Sequence, residues 1–259
     1  MNKLLFILLI IHPVKPGGDY PLKDGKPTSK GIEQYVEEER DSILAEYQDF
    51  IGDTLYDIFI YAEDLTYYDV HDSMELGRYY PNEIFITTQE LFIAYEVADL
   101  TPEMRAVTVE SNAFVKSTMI HELTHDYLYQ IGLEMRINDS IQVDRAYRTN
   151  LWLIRNTETF GSSFIEEGLC EYMAGKMGEI ISPRIPYIPA TIEELTDRDN
   201  RYAAKYKYSS YFLKQFIDST GFKTGAKILL SNPPPTFEEI LNPDLYFERL
   251  INPFQERVL

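Results

Sequence analysis

The sequence predicts an α+β protein: a small mixed N-terminal lobe with a β-sheet and one long helix, then a mainly helical C-terminal lobe. Three observations predict it. Strand-like runs rich in aromatic and β-branched residues fall at 56–62 (YDIFIYA) and within 79–88. Phe114, Val115, Met119, Ile120, Leu123, Tyr127, Leu128 and Ile131 then recur at steps of three and four, the period of a half-buried helix. Beyond residue 140 the patterning is almost entirely helical, with no internal repeat and no low-complexity tract. A chain of 259 residues suits one large domain or two lobes sharing a cleft. We divide it into a leader at 1–20, an N-terminal lobe at 21–132 and a helical lobe at 133–259, the two lobes forming one unit.

In chain order, Met1-Asn2-Lys3 precedes an unbroken apolar run at 4–11. One positive charge before so short a run reads as a secretory leader, far below the ~20 residues of a membrane span. His12-Pro13-Val14-Lys15 offers no small-residue cleavage site, so a buried N-terminal strand is the competing reading. No Cys follows the run, which excludes a lipoprotein anchor there. Residues 16–31, rich in Gly, Pro and Lys, read as a linker. Ile32, Val36, Ile43, Tyr47 and either Phe50 or Ile51 keep helical spacing until Gly52. Residues 56–62 read as a buried strand. In 79–88 the Pro81-Asn82 pair interrupts the pattern, which places Glu83–Thr87 at a sheet edge. Gly132 is the expected stop of the helix that follows. Further helices are expected at 140–154, 162–180 and about 200–219, with a Pro-rich connection at 182–190. The Asn-Pro-Pro-Pro-Thr run at 232–236 opens a short helix at Phe237, and Asn242-Pro243 opens another.

Composition bounds the function. Hydrophobic residues make up 44% and aromatics 14%, enough for a sizeable core. Lys and Arg number 24 against 42 Asp and Glu, giving −18 spread along the chain. Nucleic-acid binding needs a basic footprint, and none exists. An acidic surface also disfavours anionic membranes, so no stable membrane insertion is expected after leader removal. Cys170 is the sole cysteine, which rules out an intrachain disulfide. That absence leaves open both an exported protein, periplasmic or secreted, and a cytoplasmic one; the leader favours export.

Residues 121–125 read His-Glu-Leu-Thr-His. On a helix His121 and His125 lie four apart, so both imidazoles leave one face within about 6 Å of each other. Two neutral nitrogens on one face suit a single Zn²⁺. Glu122 sits beside the first ligand without sharing its direction, the position required of a general base acting on water. The chain holds four histidines. His12 falls in the leader and His71 in an Asp-rich turn, and both read as surface residues. Catalytic zinc takes three protein ligands and leaves a fourth position open. With no His beyond His125, a third ligand further along is a carboxylate or Cys170.

The segment Phe164-Ile-Glu166-Glu167-Gly168-Leu-Cys170-Glu171-Tyr-Met173 reads as a helix carrying three carboxylates. Together with the pentapeptide it resembles the gluzincin metallopeptidases, the thermolysin and zinc-aminopeptidase group. In that group a second helix donates a Glu ligand, often from a Glu-Gly pair. The resemblance implies Glu167 as third ligand, with Glu166 as competitor about 100° away around the helix. It further implies that Glu171, one turn on, orients His121 through the second ring nitrogen. Cys170 reads as a thiolate ligand in principle, or as the small buried residue that aminopeptidases carry as Ala. The plainer alternative is an ordinary solvated acidic face. Against it, Gly168 inside a helix costs roughly 1 kcal/mol and calls for a reason such as close packing of the two metal-bearing helices.

A third segment at 206–221, Tyr206-Lys-Tyr208-Ser209 followed by apolar residues and Gly221, is similar to a gluzincin helix that follows the metal site. There a Tyr stabilises the oxyanion of the tetrahedral intermediate, a contribution of about 2.7–4 kcal/mol. By alignment the counterpart is Tyr206, with Tyr208 as the other choice. The resemblance covers about 110–225 and implies a zincin-like fold with one catalytic Zn²⁺. It implies hydrolysis of a peptide or protein substrate, with Glu122 as base. A zinc-aminopeptidase Gly-Ala-Met-Glu-Asn motif is absent, which favours an endopeptidase. Zincins pair extended substrate with an edge strand above the active-site helix, and Glu83–Thr87 is the expected strand. Two rivals stand beside this reading: a catalytically inactive zincin-fold binding module that retains zinc, and a helical protein whose histidines are coincidental.

Overall fold

The computed structural model describes residues 22–23, 26–65, 76–88, 113–135, 160–178, 188–197, 200–201 and 204–251. The leader, the histidines at 12 and 71, half of the linker and the helix expected at 140–154 lie outside the described residues. Two short strands, β1 (Leu22–Lys23) and β2 (Lys26–Pro27), pair antiparallel before the first helix. Thr28 caps α1 (Ser29–Ile51) by accepting the Gly31 N–H at 3.0 Å, and Gly52 closes it with φ 64. That left-handed turn is where glycine avoids the Cβ penalty. Ile32, Val36, Ile43, Tyr47 and Ile51 form the buried stripe, while Phe50 points outward.

The sheet has strands β3 (Phe59–Glu63), β4 (Gly77–Tyr80) and β5 (Glu83–Thr87), in the order β3-β5-β4. β3 runs parallel to β5, and β4 antiparallel to it. This corrects the sequence reading of 79–88. Pro81-Asn82 does not interrupt one strand but turns a hairpin between two, Asn82 taking φ 73. Pro followed by a positive-φ Asn is the pattern of a tight two-residue turn. Glu83–Thr87 is therefore the central strand, paired on both sides, and the expected edge role passes to β4.

Helix α2 (Ala113–Glu134) carries the pentapeptide and packs on α1, β4 and β5. It runs through Gly132, which is buried inside the helix rather than stopping it. The roughly 1 kcal/mol propensity cost of an internal glycine is offset by the packing of its buried neighbours Leu128 and Ile131. Helix α3 (Phe160–Met177) lies against α2. After α4 (Ile192–Thr196) come a π-helical turn (Ala204–Tyr208) and α5 (Ser209–Thr220), both packed on α3. The last three helices are α6 (Phe222–Ser231), α7 (Phe237–Leu241) and α8 (Pro243–Ile251). Thr236 and Glu239 close a reciprocal capping box on α7.

The described residues are thus mixed α and β, with eight α-helices and a small three-stranded sheet. One buried hydrophobic cluster links α1, the sheet, α2, α3 and the C-terminal helices. Within it the Tyr47 hydroxyl donates to Thr124 Oγ1 at 3.0 Å, and Thr124 donates to the Ile120 carbonyl. Among the described residues no helix is long and apolar enough to cross a membrane.

Candidate metal centre

α2 and α3 face each other, and their polar residues meet in one place inside an otherwise apolar interface. The His121 and His125 rings sit 5.1 Å apart between centroids, as i,i+4 placement on one helix requires. From α3 come Glu166, Glu167, Cys170 and Glu171. His125 Nδ1–H donates to Glu166 Oε1 at 2.9 Å, and His121 Nδ1 lies 3.2 Å from Glu171 Oε1. A carboxylate can only accept, so both rings carry a proton on Nδ1 and, when neutral, turn the Nε2 lone pair the other way.

That other way is Glu167. Its Oε2 lies 3.2 Å from His121 Nε2 and 3.7 Å from His125 Nε2. Yet Glu167 Oε2 is buried and makes no hydrogen bond. The two Nε2 atoms and this carboxylate oxygen thus approach one another. Ligands 2.0–2.2 Å from a tetrahedral metal stand roughly 3.4 Å from one another, and the two observed separations bracket that value. His121, His125 and Cys170 also lie close enough to bind a metal ion, their donor atoms falling within 4.8 Å of one another.

The electrostatics favour positive charge at this point. Burial opposes charge on both rings, but Glu167 and Glu171 hold His121 well above the ordinary imidazole range. Cys170, Glu166 and Glu167 do the same to His125, again against its burial. Glu167 goes the other way: despite burial, the two imidazoles beside it and the charge of Lys205 keep it well below the usual carboxylate range. Burial raises Glu166, and it raises the Cys170 thiol. Glu167 and Cys170 are thus both within reach of the two rings, one as an ionised carboxylate and the other as a buried thiol.

Glu122 is buried against the backbone of Gly77 at the start of β4. A Cβ at Gly77 would stand 2.6 Å from Glu122 Oε1 and 2.7 Å from its Cγ. The next inward residue of the strand, Tyr79, stacks on the His125 ring at 5.9 Å and 11°. Asp126 anchors the hairpin by accepting the Asn82 N–H at 3.1 Å. Thr87 N–H donates to the Leu76 carbonyl, so in this antiparallel register the N–H and C=O groups of Gly77 and Tyr79 turn away from β5.

Tyr206 donates its hydroxyl to Glu167 Oε1 at 3.1 Å, and its ring lies 6.5 Å from that of His121. Tyr208, the other choice for an oxyanion donor, is buried and donates to the Ile240 carbonyl at 3.2 Å, turned away from the histidines. The structure therefore brings together His121, Glu122, His125, Glu167, Glu171 and Tyr206 and leaves Tyr208 out. Glu166, the other carboxylate weighed as a ligand, lies against His125 Nδ1. The close packing expected of Gly168 is present, but against a different helix: a Cβ there would lie 2.9 Å from both Leu213 Cδ1 and Ser209 Cβ of α5. Gly77, Tyr79 and Lys205 were invisible to sequence reasoning, because each reaches the site across the chain and none stands in a recognisable motif. Compared with known protein families, with curated proteins and with solved structures, the chain matches none.

Proposed function

We propose that this chain is a zinc-dependent peptidase of the gluzincin type, with His121, His125 and Glu167 as the metal ligands. One observation carries the reading: the buried Oε2 of Glu167, which makes no hydrogen bond, lies beside the Nε2 atoms of both histidines. A buried carboxylate oxygen without a donor is costly, and a divalent cation removes the cost for all three groups at once. The donor set of two imidazoles and one carboxylate is that of catalytic zinc sites. Glu166 and Glu171 supply the outer carboxylates that fix zinc-bound imidazoles.

When bound, the ion polarises the substrate carbonyl and acidifies water. The remaining work falls to the chain. Glu122 accepts the proton of the attacking water on its carboxylate and returns it to the leaving amine. Tyr206 turns its hydroxyl from Glu167 Oε1 to the developing oxyanion, while Lys205, 2.9 Å from the same Oε1, keeps that oxygen paired. The outward-turned backbone groups of Gly77 and Tyr79 on β4 take an extended peptide as an added strand. Export, resting on the apolar run at 4–11, belongs to the same reading.

A second reading has its own observation, the closeness of Cys170 to both histidines. Four protein donors would close the coordination sphere and make the protein a zinc-retaining binding module. Peptide-library cleavage by the wild type and Glu122→Gln separates the two. The peptidase reading expects chelator-sensitive cleavage that Glu122→Gln lowers by on the order of 10²–10⁴ with zinc stoichiometry unchanged. Zinc retention without any cleavage would favour the binding module, and absence of stoichiometric zinc would reject both.

A further inference from the structure

The two oxygens of Glu167 live in opposite surroundings. Oε2 makes no hydrogen bond. Oε1 receives two donors from adjacent residues, Lys205 Nζ at 2.9 Å and Tyr206 OH at 3.1 Å. Neighbouring side chains on a regular α-helix diverge by about 100°, so their convergence on one atom needs a departure from that geometry. The π-helical turn at Ala204–Tyr208 is such a departure, and single π turns are frequent at functional sites. Ser209 holds the turn by donating its hydroxyl to the Lys205 carbonyl. The same Ser209 lies against Gly168, where a side chain would meet its Cβ at 2.9 Å. The glycine that follows Glu167 therefore lets this turn come close enough to grip it. The Lys205 ammonium also sits 5.0 Å from the centre of the Tyr206 ring, so the two donors support each other.

We propose that Lys205 and Tyr206 form a clamp of positioning residues that restricts Glu167 to one-oxygen metal binding and so keeps a coordination position open. The inference rests on the metal reading above. A carboxylate can ligate a metal through one oxygen or two. An Oε1 already engaged by an ammonium and a phenol is a weak second donor. Stripped of both, it loses the two donors that engage it and is free to turn to the ion. Two-oxygen binding would then occupy the position that water and the substrate carbonyl must share. Either donor alone satisfies Oε1, so the clamp fails only when both are removed.

Zinc-edge X-ray absorption fine structure on zinc-loaded protein tests this without reference to turnover. Wild type, Lys205→Met, Tyr206→Phe and Lys205→Arg should share one first-shell spectrum. The double variant Lys205→Met/Tyr206→Phe should gain one oxygen neighbour at a longer distance. A double variant that holds stoichiometric zinc with the wild-type spectrum would overturn the clamp and leave the peptidase reading standing. A wild type that binds no zinc would remove that reading and the clamp with it. Should the double variant not fold, zinc-minus-apo infrared difference spectra of the wild type decide. A wide separation of the Glu carboxylate stretches supports one-oxygen binding, and a narrow separation refutes it.

Discussion

At Gly77, the absence of a side chain sets the position of Glu122. The strand backbone lies against three atoms of the Glu122 side chain, and a methyl group there would occupy their space. Glu122 is buried, so it has little room to yield. Gly77→Ala should therefore move Glu122, the proposed general base, while leaving both histidines and Glu167 in place. Displacement of a reacting group by about 1 Å can cost on the order of 10² in rate. We expect kcat to fall by about that factor with zinc content and KM little changed; an unaltered kcat would show that Gly77 does not position Glu122. At this scale the pentapeptide made His121, Glu122 and His125 legible, because five consecutive residues on one helix fix their own geometry. Glu167 and Glu171 were legible through a resemblance rather than through spacing. The sequence left Glu166 open as a competing ligand, since its direction depends on where α2 lies; in the structure it meets His125 Nδ1.

Among the elements, the helices that declare themselves by amphipathic spacing and caps were legible. Gly52 ends α1 as expected, its start at Ser29 falls inside the stretch read as linker, and the run at 232–236 opens α7 as its Pro-Thr chemistry indicates. The sheet was only partly legible. A Pro-Asn turn and an interrupted edge strand look alike in sequence, and only pairing partners distinguish them. The π-helical turn had no sequence signal, since it arises from the packing of α5 on α3. That packing is tightest at Gly168. Gly168→Ala would gain about 1 kcal/mol of helix propensity but would force Leu213 and the backbone of Ser209 away from α3. Overpacking of a filled interface costs about 1–3 kcal/mol, and here backbone must move. We expect net destabilisation, seen as a lowered midpoint in urea; a midpoint equal to or above wild type would mean that α5 does not pack closely there.

For the whole molecule, the candidate centre joins α2 and α3 at the heart of a single hydrophobic cluster. Carboxylates Glu122, Glu166, Glu167 and Glu171 gather there in a chain already carrying −18. A cation bound only by the folded state adds RT ln(1 + [L]/Kd), about 2.7 kcal/mol at one hundred times Kd. For a chain of this size that corresponds to a shift of about 5–10 °C in Tm. Removal of metal with a chelator should lower Tm by such an amount, and restoring zinc should recover it. An unchanged Tm would indicate that no ion links the two helices.

The most direct measurement is anomalous scattering at the zinc edge from crystals of the zinc-loaded protein. The account predicts one peak per chain within about 2.0–2.2 Å of His121 Nε2, His125 Nε2 and Glu167 Oε2, with Cys170 Sγ unbound. A peak coordinated by Cys170 in place of Glu167, or no peak between α2 and α3, would contradict it.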